Sequence, residues 1–283
     1  PVYFQVQFFS GVVQSAPLLI VAMGMTWVIL ARQIDISIGS QFSVCGVVAA
    51  MAARMGLPMP LVAVLAIFTG SIFGALNGFL VGFIELPSIV VTLATMVLLK
   101  QGLSWVRDGV AVNGLPAAFQ WFGTSQSFGE VLIVIVAGTV FFIFLYASNY
   151  LTGGRAVYAV GSDHEAARLA GLRPRHVTFA VFTLMGALAG LAALLNAVRF
   201  PQADTKAGDG LELQVIAAVV VGGTAISGGR GTLLGTLFGI ALLGTIGSAL
   251  FFMGIKTQWS LAVQGIIILA AVASDALAKP RAR

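Results

Sequence analysis

Residues 151–176 read LTGGRAVYAVGSDHEAARLAGLRPRH, a polar island between long apolar runs that holds four of the chain's fifteen Lys and Arg residues. Around it the sequence is built for lipid. Only 9% of the 283 residues are charged, against roughly 25% in a soluble domain, while 59% are hydrophobic and the mean hydropathy is +1.01. The 34 glycines fit this setting, because glycine is commoner in membrane helices than in soluble ones. A membrane chain that keeps a compact, charged, helix-forming segment between two spans points to contact with something in water.

Working outward from the island, nine apolar segments can be drawn: 12–31, 36–53, 59–82, 88–103, 131–148, 177–199, 212–226, 232–253 and 258–274. Several approach the ~20 residues that cover a hydrocarbon core of about 30 Å at 1.5 Å per residue. Segments 36–53 and 212–226 are shorter, flanked by Asp35 and by Gly222, Gly223, Gly228 and Gly229. Short or broken spans are tolerated where protein or a wet cavity surrounds them. The predicted fold is therefore all-α: one polytopic membrane helical bundle over residues 1–283, with short or broken helices and a cytoplasmic loop at 151–176.

Placing the island in the cytoplasm puts Arg32, Arg155, Arg168, Arg173, Arg175, Arg230, Lys279, Arg281 and Arg283 inside. Arg54, Lys100, Arg107, Arg199, Lys206 and Lys256 fall outside, a modest bias of the expected sign. A re-entrant 212–226 segment would turn the basic C-terminal tail outward, so a crossing is the better reading. The same walk puts Pro1 outside and predicts one further helix upstream, for ten spans in all. Gly70, Gly74 and Gly78 lie four apart on one face, and Gly186/Gly190 and Gly235/Gly239 repeat the spacing. Such patterns let helices approach closely.

Within the island, Asp163 or Ser162 can cap a short helix starting near His164, since either side-chain oxygen accepts an orphan backbone N–H. Glu165, Ala166, Ala167, Arg168, Leu169 and Ala170 can propagate it, Gly171 can close it and Pro174 blocks continuation. Two turns are too few to stand alone. The segment is either a plain solvated loop or a docking helix that needs a surface to lie against. His164 and His176 have no Cys/His/Asp cluster around them and read as loop or interface residues.

Several further features narrow the chemistry. The glycine-rich stretch GGTAISGGRG, Gly222–Gly231, lacks the lysine and hydroxyl of a phosphate-binding loop and reads as a turn ending a short helix. Asp35 stands three residues from Arg32, so a capping or salt-bridged acid is expected ahead of a proton-coupling one. The lone Cys45 excludes an internal disulfide. An isoelectric point near 9.8 comes without any dense basic tract, which argues against nucleic acid. Polar residues in or beside apolar runs, namely Asn77, Thr92, Thr95, Asn196, Gln214 and Gln264, are candidates for a substrate path, or else for bonds between helices. Asp204, Lys206, Asp209 and Glu212 crowd the outer side of the 212–226 segment and can meet an external partner or simply line a wet loop.

Four ordered motifs carry a resemblance: IDISIGS (34–40), GALNGFLVGFIELPSIVVTLATM (74–96), YAVGSDHEAARLAG (158–171) and AGDGLELQVIAAVVVGGTAISGGRGTLLGT (207–236). Together they resemble the transmembrane permease of bacterial ABC sugar importers of the ribose, xylose and autoinducer-2 class, over nearly the whole chain from about Gly24 to Asp275. The stretch 200–213 is similar to rhamnose- or autoinducer-2-type members. The resemblance implies a non-catalytic permease in the bacterial inner membrane that binds no cofactor itself. It implies as partners a second permease copy or paralogue, cytoplasmic ABC ATPase subunits carrying ATP and Mg, and a periplasmic sugar-binding protein. It also implies that the stretch holding Gly161, Asp163, Glu165, Ala166, Ala167, Arg168, Ala170 and Gly171 contacts the ATPase. The alternative is an ion-coupled secondary sugar transporter, although no convincing inverted repeat is visible. A channel filter and a set of convergent catalytic groups are likewise not evident.

Overall fold

The computed structural model describes residues 2–252 and isolated positions 259, 262, 265, 266 and 269. Among the described residues there are ten α-helices and one 3₁₀ turn: α1 Val2–Leu30, α2 Ile38–Arg54, α3 Met59–Gly82, α4 Ser88–Arg107, the 3₁₀ turn Gln120–Gly123, α5 Gln126–Tyr150, α6 Thr152–Ser162, α7 His164–Leu169, α8 Pro174–Ala197, α9 Leu211–Val221 and α10 Leu233–Phe252. Five segments are long and apolar enough to cross a bilayer: Phe9–Leu30, Met59–Gly82, Ser88–Arg107, Gln126–Tyr150 and Pro174–Ala197. This is the architecture of a polytopic membrane bundle.

The boundaries differ from the sequence-predicted ones in instructive places. The segment drawn as 88–103 continues to Arg107, which sets Lys100 about two turns inside the far end of its helix rather than at that end. The segment drawn as 212–226 is helical only to Val221, where Gly222 and a left-handed Gly223 end it. The 258–274 segment, Gln264 and the C-terminal basic tail lie outside the described residues, apart from the isolated positions above.

α1 is the central helix, with Ile20–Met23, Met25 and Val28–Ala31 almost completely buried. α3 and α8 form the tightest pair. A Cβ on Gly70 would stand 2.0 Å from the Gly186 carbonyl oxygen, and one on Gly190 would stand 2.2 Å from that of Ala66. The predicted glycine seam is therefore a backbone-to-backbone contact that no larger residue permits. Gly235 and Gly239 on α10 pack in the same way against Gly222 and Ala218 at the end of α9.

α2 and α9 are the broken spans, at 17 and 11 residues. Their first turns meet inside the bundle, where the Gly208 N–H donates to Ser43 Oγ at 2.9 Å and Gly39 lies against the Gly208 carbonyl. From there α9 runs to the island end, because the turn that follows it touches Leu30, Arg32 and Gly161. It runs from inside the bundle to the island end; the basic tail on which the charge walk turned lies outside the described residues.

Candidate coupling surface and polar interior

The island folds as two helices where one was expected. α6 occupies its first half despite Gly153 and Gly154, which are poor helix formers. Tertiary contact explains why it forms. Gly154 lies directly on the Ala147 carbonyl at the end of α5, and Gly161 lies on the Leu30 carbonyl at the end of α1. The same Leu30 carbonyl accepts the Gly229 N–H at 2.9 Å. The Tyr158 hydroxyl donates to the Gly231 carbonyl at 3.2 Å. Burial raises the Tyr158 phenol above its usual range, so it stays a protonated donor. α6 is thus clamped between the C-terminal end of α1 and the Gly222–Gly231 turn.

α7 follows after one residue. Asp163 is the cap, accepting the N–H groups of Glu165 and Ala166 at 2.9 Å each through Oδ1; Ser162 only precedes it. At the other end Gly171 is left-handed (φ +84°), its N–H donates to the Arg168 carbonyl, and Leu172 N–H reaches back to Ala167. That is a Schellman closure. Both ends of a six-residue helix are therefore satisfied, which offsets its cost of nucleation. Glu165 and Arg168 pair at 2.6 Å on its exposed side. Their exposure makes this a weak bond worth roughly 0–1 kcal/mol.

Of the residues singled out in this stretch, Gly161 and Ala167 are buried, while Asp163, Glu165, Ala166, Arg168, Ala170 and Gly171 are exposed. Leu169, read from the sequence only as a helix former, is 80% exposed. It is the one large apolar side chain on α7, and the signal for it was available: a leucine in a helix otherwise made of alanine and charge. Beyond α7, the Arg175 guanidinium donates to Glu85 in the α3–α4 link, and the His176 ring packs edge-on against Phe83 at 5.2 Å. Both ends of the island are thereby tied to the bundle. A cleft of roughly 260 Å³ lined by Trp27, Gly153, Val157, Arg173, His176 and neighbouring apolar residues of α8 leaves open space along the other flank of α6.

The end of α1 gathers these links. Thr26 shares a 2.8 Å hydrogen bond with Thr236 of α10, and Trp27 Nε1 donates to Ser148 of α5 at 2.9 Å. Leu30 receives Gly229 and abuts Gly161. A displacement of α6 therefore meets α1, α5, α10 and the glycine turn within one helical turn of chain.

The polar candidates for a substrate path separate into two groups. Asn77, Thr95 and Thr92 are buried. Thr95 donates to Asn77 Oδ1 at 2.7 Å and Asn77 Nδ2 donates to Ser37 Oγ at 2.9 Å. Ser37 in turn donates to Asp35 Oδ1 through both its N–H and its hydroxyl, and Gln41 Nε2 donates to Ser37 Oγ at 2.7 Å. Thr92 sits one turn below, on the carbonyls of Ser88 and Ile34. These side chains knit α2, α3 and α4 together. Asp35 is neither the cap of α2, whose N-cap is Ser37, nor ion-paired with Arg32 among the described residues; Ser37 and Gln41 hold its carboxylate instead. Arg32 has φ +60° and lies exposed, its stem against Gly228. Asn196 near the end of α8 and Gln214 in the first turn of α9 are half-buried, and among the described residues no hydrogen bond joins them to that cluster.

A family model described as "Branched-chain amino acid transport system / permease component" matches residues 7–272. The ribose import permease protein RbsC of Escherichia coli (strain K12) is 35% identical over 260 residues, covering 90% of this chain and 81% of that protein. The autoinducer 2 import system permease protein LsrC of Yersinia pseudotuberculosis serotype O:1b is 32% identical over 278 residues, covering 96% and 78%. No solved structure matches.

Proposed function

We propose a function on a premise already established: this chain belongs to the branched-chain amino acid transport system / permease component family. It is a multi-pass membrane permease, a transport subunit of an ABC importer. On our reading it sits in the bacterial inner membrane, pairs with a second permease copy or close paralogue, and takes a neutral sugar-like molecule of the size of ribose or autoinducer-2 from a periplasmic binding protein. Separate cytoplasmic subunits bind ATP and Mg and hydrolyse the nucleotide. This chain supplies the path and the lever, and an ion-coupled carrier is the reading it displaces.

The observation that carries the mechanism is α7: capped at both ends, exposed along nearly its whole surface, and joined through α6 to the end of α1 and the Gly222–Gly231 turn. A two-turn helix with satisfied ends moves as a unit. Closure of the ATPase dimer beneath it pushes α7, α6 follows, and the clamp at Leu30 and Gly229 passes the motion to α1 and α9. Alternating access follows when the two permeases reopen on the other side. The test is uptake in proteoliposomes holding the permease, its ATPase and its binding protein. Import that requires both ATP and the binding protein supports the reading, and ATP-independent import sinks it. In the same assay, Glu165→Lys or Arg168→Glu that left ATPase association and uptake unchanged would remove α7 from the force path.

A further inference from the structure

Lys100 stands within α4, twelve residues past Ser88 and seven before Arg107. At 1.5 Å per residue it is ~18 Å from the island end of that helix and ~10 Å from the far end. Its ammonium pairs with Asp209 at 2.9 Å, and both side chains are about half exposed, 51% and 45%. Ser104, one turn beyond Lys100 and on the same face of α4, is also exposed. Glu212, half-buried in the first turn of α9, feels the charges of both Asp209 and Lys100, and its carboxylate abuts Gly39 of α2. Three charged side chains thus converge at the depth where α2 and α9 begin, with a hydroxyl one turn beyond them.

Charge this deep does not face hydrocarbon without a cost of several kcal/mol. Lysine alone can snorkel along its apolar stem, but Asp209 has no such reach. The adjoining face of α4 differs sharply: Leu98 and Trp105, seven residues apart, are 72% and 84% exposed and suit lipid. One helix therefore presents an oily face and a wet face side by side.

We propose that Lys100, Asp209 and Glu212, with Ser104, line the aqueous route itself. They form a polar station at which a passing polyhydroxylated molecule exchanges hydrogen bonds with an ammonium donor and carboxylate acceptors. The proposal rests on the importer reading above, and it moves the route away from Asn77, Thr92 and Thr95, whose hydrogen bonds are already made within one chain.

The test is thiol accessibility in the assembled transporter in membrane vesicles, using a charged, membrane-impermeant methanethiosulfonate. The native Cys45 is fully buried and gives no background. Ser104→Cys is compared with Leu98→Cys. A thiol ionises and reacts only where water reaches it, so the first should label at least about tenfold faster than the second. Equal rates at the two positions would overturn the proposal. In parallel, Lys100→Met is assayed for uptake of whichever of D-ribose and autoinducer-2 the parent complex imports. A wet station predicts a loss of about tenfold or more with assembly retained, partly restored by the exchange Lys100→Asp with Asp209→Lys. A lipid-facing pair predicts unchanged uptake. A complex that labels as expected yet imports nothing with ATP and binding protein present would unseat the importer reading and leave the wet face standing.

Discussion

Gly161→Ala isolates the mechanical link between the coupling helix and the bundle. The added Cβ would sit 1.6 Å from the Leu30 carbonyl oxygen and 2.9 Å from the Gly229 nitrogen, where real contacts exceed 3.0 Å. All of those atoms are backbone, so no side chain can swing away, and α6 must retreat by more than an ångström. Overpacking of this kind costs about 1–3 kcal/mol. Loosening the Gly229–Leu30 hydrogen bond adds about 0.5–1.5 kcal/mol. Together, roughly 2–4 kcal/mol shifts the docked state of α6 by ~30- to 1000-fold. Amide hydrogen exchange on the complex in nanodiscs reads that shift directly at Gly229, while uptake per ATP hydrolysed reads its consequence. We expect faster exchange at Gly229, an assembled complex, and futile hydrolysis. The control is Gly153→Ala, whose Cβ meets nothing within 4 Å, and which should stabilise α6 by up to ~1 kcal/mol. The reasoning is refuted if Gly161→Ala matches the parent in both readings, or if Gly153→Ala does equal damage.

Three other outcomes follow from the same geometry. Leu169→Ala should weaken association with the ATPase subunit by about fivefold or more, as expected for an exposed apolar anchor worth more than ~1 kcal/mol, with no change in the permease's own thermal stability; binding measured by surface capture decides it. Asp163→Ala leaves the Glu165 and Ala166 N–H groups uncapped at a cost of about 0.5–2 kcal/mol, so exchange at those amides should rise while Asp163→Asn stays close to the parent. Asn77→Leu strands the Thr95 hydroxyl at about 1–3 kcal/mol and removes one of the hydrogen bonds on Ser37, and should lower the melting temperature of the solubilised protein; lost uptake without lost stability would instead place Asn77 on the transport route.

The spans were legible because lipid leaves the backbone so few options. A run of apolar residues with charges only at its ends has to be a helix, and a four-residue glycine spacing has to be a seam. The ends of α7 were legible because capping is local chemistry, with Asp163 and Gly171 standing where the helix needs them. α6 was not legible, because Gly153 and Gly154 argue against helix and only contact with Ala147 and Leu30 outweighs them. Lys100 misled for a related reason: a lysine in an apolar run reads as the end of a span, and its partner Asp209 lies over a hundred residues away. Asp35 read as a cap or as an ion-pair partner of Arg32, yet the left-handed turn at Arg32 leaves that side chain exposed and leaves Asp35 to Ser37 and Gln41. The polar path candidates failed to sort themselves because sequence reports residue type and not which hydroxyl faces which amide.

The brevity of α9 gains a mechanical sense once both of its ends are considered. Eleven residues make a rod of ~16 Å, too short to cross but long enough to join two places that matter. One end is the Gly222–Gly231 turn, clamped by Leu30 and backed by Gly161 and Ser162. The other carries Glu212, beside the Lys100–Asp209 pair and against the start of α2. A full-length span would place its ends at the two membrane faces and leave the interior to its side chains. A half-span places one end on the coupling machinery and the other inside the bundle, so motion at the first changes the position of a charge at the second. In the importer reading, this is why the chain tolerates a broken helix here: the break puts the lever's far end at the polar station.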